Sequence, residues 1–124
     1  LPQLKGKISG MSLRVPTPDV SLVDLVVDLK CPVTVNQINT AFHEAATGSL
    51  KGILGITDEP LVSVDFTSDP HSGVIDGLST MVIGENKVKI LAWYDNEWGY
   101  SSRVLDLVKY VAQEMKNVSE VKAG

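Results

Sequence analysis

Arg14 in "LRVPTP", and Asn96 and Tyr100 in "YDNEWGYSSRV", are the side chains best suited to a charged or planar ligand. A guanidinium offers a planar fork of N–H donors that matches phosphate oxygens. Pro16 and Pro18 stiffen the chain beyond Arg14, and Ser12 shares its face of an expected strand. An asparagine carboxamide carries a donor and an acceptor, so it can pair with another carboxamide in both directions. Tyr100 can flank a planar ring beside it. Structural roles compete. A lone arginine is usually solvated or salt-bridged. Asp95 and Asn96 can cap a helix while Trp93, Trp98 and Tyr100 pack a core. On residue chemistry alone those structural roles are favoured.

The remaining reactive side chains form no catalytic pattern. Cys31 precedes Pro32 and has no histidine near it in sequence, although a helix is expected to start close by at Thr34. A catalytic thiolate needs a base or a helix N-terminus to lower its pKa, so an unreactive thiol is the better reading. His43 lies on the flank of that helix, and His71 lies in the turn-like "SDPHSG", where Asp69 can accept backbone amides. Two histidines and one cysteine at such spacings make no zinc pattern.

The chain has 124 residues, 44% hydrophobic and 21% charged, enough for one domain with a single core. A net charge of −4 argues against a broad nucleic-acid surface. No apolar run approaches the roughly 18–20 residues that span a bilayer. No secretory signal is readable, and a single cysteine makes a reducing, cytoplasmic setting the default expectation. Opening at Leu1-Pro2 rather than Met is consistent with a fragment, a processed product or a trimmed polypeptide.

Alternation predicts a strand over residues 7–15, with Met11, Leu13 and Val15 on one face, and a second over 20–29. Thr34 and Gln37 have capping-box spacing; Val35, Ile38, Phe42 and Ala45 then recur at helical period towards Gly48. Residues 50–55 suit a helical turn. "LVSVDF", 61–66, reads as a strand with Val62, Val64 and Phe66 inward. Strands over 78–83 and 87–93 flank a Gly84-Glu85-Asn86 hairpin. Val104, Leu107, Val108, Val111 and Met115 mark an amphipathic helix of about four turns, before a polar tail expected to fray. The order favours an α+β fold: an antiparallel or mixed sheet with helices on one face, plus a long C-terminal helix. No glycine-rich phosphate loop follows an opening strand.

Together, "LKGKISGMSLRVPTPDVSLVDLVVDL", "LKGILGITDEPLVSVDF", "SDPHS" and "KVKILAWYDNEWGYSSRVLDL" resemble glyceraldehyde-3-phosphate dehydrogenase, in family order and over nearly the whole chain. The resemblance makes residues 1–124 the C-terminal portion of the catalytic domain of a usually cytosolic, tetrameric enzyme, with plastid members also known. That enzyme oxidises and phosphorylates glyceraldehyde 3-phosphate with NAD or NADP, using inorganic phosphate and a thioester on cysteine. By the same resemblance Arg14 binds substrate or inorganic phosphate, Asn96 contacts the nicotinamide carboxamide, and Tyr100 lies beside the nicotinamide ring, while Trp93 and Trp98 anchor the segment. The Rossmann half, the "SCTTN"-type nucleophile segment and the catalytic histidine are not among these residues, and neither Cys31 nor His71 corresponds to them. The expectation is a chain that contributes binding groups and no catalytic residue, and that is inactive alone. A non-catalytic oligomerisation module and part of an erythrose-4-phosphate dehydrogenase are the alternatives.

Overall fold

The computed structural model describes residues 2–123, with side chains as far as Val118. Its centre is β5 (Lys87–Tyr94), which β1 (Ser21–Asp28) accompanies antiparallel along its whole length, from Ser21 against Tyr94 to Asp28 against Lys87. On the other edge of β5, β4 (Met81–Ile83) pairs with its beginning, and β3 (Gly73–Asp76) pairs with Ala92 and Trp93 near its end. β2 (Leu54–Thr57) adds to β3 in parallel and completes a mixed five-stranded sheet. The α+β architecture holds, with two helices, α1 (Val35–Thr47) and α2 (Trp98–Ala123).

Local chemistry explains the elements that the sequence pattern identified. Thr34 Oγ1 accepts the Gln37 N–H at 3.2 Å while Gln37 Oε1 accepts the Thr34 N–H at 2.9 Å, so two amides that a helix leaves unpaired are satisfied reciprocally. Gly48 follows α1 and its N–H bonds the Glu44 carbonyl at 2.9 Å. Between β4 and β5, Gly84 adopts a φ of 65°, and Asn86 Nδ2 donates to the Leu29 carbonyl at 2.8 Å. That bond ties the hairpin loop to the end of β1.

The core has two parts. Ile38 and Phe42 of α1 pack on Ile75, Val88 and Ile90 of the sheet, and an apolar groove of about 420 Å³ runs between helix and strands. Beneath the other end of β5, Phe66, Val20 and Val74 are buried together against Trp93.

Four expectations are corrected. Residues 7–15 form no strand: Lys5–Lys7 is a turn, residues 8–15 are irregular, and Met11, Leu13 and Val15 are exposed. Alternation makes a stretch able to pair, but a strand exists only where a ladder accepts its backbone. Residues 61–66 are not a strand either. Ser63–Phe66 is a 3-10 turn in which Asp65 Oδ2 accepts the Val62 N–H at 2.8 Å. Its period of three turns only Phe66 inward and leaves Val62 and Val64 exposed. The third concerns α2, which is longer than four turns and runs through the expected fraying tail to Ala123. Its stripe of Val104, Leu107, Val108, Val111 and Met115 is exposed. The 50–55 segment is turn only as far as Ile53, where β2 takes over. Among the described residues, no helix is long and apolar enough to cross a membrane.

Candidate functional site

The aromatic segment sits where β5 ends and α2 begins, and one buried carboxylate organises it. Asp95 is only 2% exposed. Its Oδ1 accepts the N–H groups of Glu97 at 2.9 Å and Trp98 at 2.8 Å, capping α2. Its Oδ2 accepts the Ser68 N–H at 2.7 Å, which ties the cap to the loop after Phe66. Ser68 itself stands at φ 65°, a left-handed conformation that this bond helps to hold.

The same bonds set the charge of the site. The Trp98 N–H is the largest influence on the Asp95 carboxyl; burial opposes it, but the Ser68 and Glu97 amides and the Asp19 side chain reinforce it. The net effect lowers the pKa below its ordinary 3.8. A carboxyl whose pKa is lower folded than unfolded adds stability above the unfolded value and loses it as pH falls through the folded value. The capped corner is therefore expected to weaken at acid pH below about 3.8. Asp95→Ala, which strands three amides, is expected to cost about 2–4 kcal/mol, and Asp95→Asn about 1–2 kcal/mol because one of its two faces then meets N–H with NH₂. Urea titration of the folded protein measures both; a loss below about 0.5 kcal/mol for Asp95→Ala would remove this organising role.

Next to that cap, Asn96 is exposed, its Oδ1 accepting from Ser21 Oγ at 3.1 Å and its Nδ2 facing Glu97 Oε1 at 3.4 Å. Tyr100 lies in the first turn of α2, 73% exposed, its ring unburied by the sheet. The two aromatic anchors divide. Trp93 stacks on Phe66 with ring centres 5.6 Å apart and 12° between planes, whereas Trp98 is 53% exposed and anchors nothing in the core. Trp98 is the second residue after Asn96 and the first of α2.

Further contacts hold the start of α2. A Cβ on Gly99 would lie 2.7 Å from the His71 carbonyl oxygen, so the first turn rests directly on that loop. Arg103 donates to the Gly52 carbonyl at 3.2 Å and pairs with Asp106 at 2.8 Å. Asp69 shapes the loop by accepting both the His71 N–H at 2.8 Å and, at 2.7 Å, the His71 ring Nδ1.

Val20, immediately before β1, stands at φ 69°. A β-branched residue there carries strain of about 1–3 kcal/mol. It is held because the side chain is buried in the Phe66–Val74 cluster and its N–H donates to Asp19 Oδ1 at 2.7 Å. The pattern of residues 20–29 gave no sign of this backbone knuckle.

Arg14 occupies the irregular stretch rather than the expected strand end. It is exposed and makes no ion pair or hydrogen bond among the described residues. A turn follows, with the Thr17 N–H on the Val15 carbonyl at 2.8 Å. Cys31 is exposed and pairs with no imidazole among the described residues, since His43 bonds Asp58 at 3.1 Å and His71 bonds Asp69. Asn96 and Tyr100 thus share one corner. Ser21, Asp19 and Asp95 complete it, and of these only Asp95 was legible beforehand, through its turn chemistry.

The sequence profile of the family described as "Glyceraldehyde 3-phosphate dehydrogenase, C-terminal domain" matches residues 1–96. Over 121 residues the chain is 62% identical to "Glyceraldehyde-3-phosphate dehydrogenase 2" of Bacillus subtilis, covering 98% of this chain and 36% of the relative. It is 54% identical over 125 residues to the chloroplastic "Glyceraldehyde-3-phosphate dehydrogenase B" of Pisum sativum, covering 100% of this chain and 28% of the relative. The chain spans about a third of the length of the curated relatives it matches.

Proposed function

Because the chain belongs to the glyceraldehyde 3-phosphate dehydrogenase family, through its C-terminal domain, we propose that it supplies the anion-binding and nicotinamide-facing groups of a phosphorylating, NAD(P)-dependent aldehyde dehydrogenase. Its substrates in this reading are glyceraldehyde 3-phosphate and inorganic phosphate. The observation that carries the proposal is the corner at the start of α2, where a rigidly capped turn offers an exposed carboxamide beside an exposed aromatic ring.

The corner fits the pyridine end of such a cofactor. Asn96 keeps one Oδ1 lone pair and one Nδ2 hydrogen beyond its contacts with Ser21 and Glu97. Those are the two partners a nicotinamide carboxamide requires. When bound, the cofactor supplies the hydride acceptor. Asn96 orients the ring through its amide, Tyr100 flanks it, and Asp95 keeps the turn from yielding. Arg14 holds an anion by charge and by its fork of donors; its freedom from internal ion pairs supports that role. The nucleophile and its base belong, in this reading, to other parts of the longer enzyme. Homo-oligomeric assembly is part of the proposal, supported by the exposed apolar side chains of β1 and α2.

The test is Asn96→Ala in the full-length enzyme that carries this chain. Cofactor affinity, read by titration calorimetry, is expected to fall about tenfold, the scale of one or two lost hydrogen bonds. Unchanged affinity rejects the nicotinamide assignment.

A further inference from the structure

Resting on that reading of Asn96, we propose that Ser21 is its positioning residue: the hydroxyl at the start of β1 takes one Oδ1 lone pair and so holds the carboxamide with its second Oδ1 lone pair and its free Nδ2 hydrogen both presented to the ligand.

An asparagine on an exposed turn turns freely about its last torsion, and its two ends differ in chemistry though hardly in shape. Something must decide which end faces where. Glu97 Oε1, at 3.4 Å from Nδ2, can only accept when ionised, so it calls for the NH₂ on its side. Oδ1 then lies towards Ser21, whose hydroxyl donates to it at 3.1 Å. A serine hydroxyl alone can donate or accept and would serve either orientation. The two contacts together serve one.

Ser21 is well placed to hold a position. It pairs with Tyr94 as the first residue of the β1–β5 ladder, two residues before Asn96 along the other strand. The backbone before it is locked as well. Val20 is fixed in the left-handed region by its buried side chain and by the Asp19 carboxylate. On the opposite side, the Asp95 cap fixes the backbone of Asn96 itself. Strain is retained in folded proteins where the surroundings over-determine it and the residue serves a site. Here the strained residue adjoins the hydroxyl that meets Asn96.

Ser21→Ala, Ser21→Thr, Asn96→Ala and the Ser21→Ala/Asn96→Ala double variant, made in the full-length enzyme, test this. Cofactor affinity is measured with the nicotinamide dinucleotide and with its acetylpyridine analogue, in which a methyl ketone replaces the carboxamide. Ser21→Ala is expected to weaken nicotinamide binding about three- to tenfold. Ser21→Thr, which keeps a hydroxyl, is expected to restore it. In the Asn96→Ala background, Ser21→Ala is expected to add nothing. With the acetylpyridine analogue, the Ser21→Ala effect should shrink, because that ligand has no amide N–H to give back to Oδ1. If Asn96→Ala weakens binding and Ser21→Ala does not, Ser21 has no positioning role while the nicotinamide assignment survives. Equal losses with both dinucleotides, or losses that add to that of Asn96→Ala, make Ser21 a structural residue and overturn the proposal. If Asn96→Ala itself has no effect, the assignment beneath the proposal fails first.

Discussion

Given glyceraldehyde 3-phosphate, inorganic phosphate and either dinucleotide, the 124-residue chain alone is expected to produce no reduced cofactor, less than about a ten-thousandth of an intact relative's rate, the scale of loss when a nucleophile is removed. Thioester chemistry needs a thiolate, a base and an aligned hydride acceptor at one place. The one thiol here, Cys31, is exposed and has no imidazole beside it among the described residues. Both histidines are engaged with aspartates, His43 with Asp58 and His71 with Asp69. Asn96 and Tyr100 could hold one end of a cofactor, but orientation without a nucleophile catalyses nothing. Absorbance at the reduced-nicotinamide band is the measurement. Turnover comparable to an intact relative would sink the division of labour proposed here.

The second large effect concerns Arg14. In the full-length enzyme, Arg14→Ala is expected to lower kcat/KM for the phosphorylated substrate by roughly 30- to 1,000-fold, or about 2–4 kcal/mol, the cost of a lost charged hydrogen-bonding contact. Arg14→Lys is expected to fall between, since it keeps the charge and loses the planar fork. The reason to expect so much is that Arg14 has no carboxylate of its own among the described residues. Its charge is available to an anion without first breaking an internal pair. Steady-state kinetics against substrate and against inorganic phosphate tells which anion it serves. Values near those of the unmodified enzyme would strike Arg14 from the site.

Several elements could be read from local pattern because their causes are local. The Thr34–Gln37 box, the helical stripe through Ile38 and Phe42, and the Gly84-Glu85-Asn86 hairpin each depend on residues within a few positions of one another. The motif order was equally informative: it was enough to identify the family and to nominate Arg14, Asn96 and Tyr100. The misread elements depended on partners far away. Met11, Leu13 and Val15 alternate as a strand does, yet no sheet edge takes them. Val62 and Val64 alternate too, but Asp65 bonds the Val62 amide and winds the segment into a tighter turn.

What the amino-acid order determined by itself, then, was the family and the local chemistry of the Asp95–Tyr100 turn. Tertiary structure alone decided what that turn is fastened to. Ser68 reaches Asp95 across 27 positions and Ser21 reaches Asn96 across 75, both brought there by the packing of Phe66, Val20 and Trp93 around β5. Side-chain periodicity carries no information about such meetings, because a hydrogen bond between distant residues exists only once the sheet between them has formed.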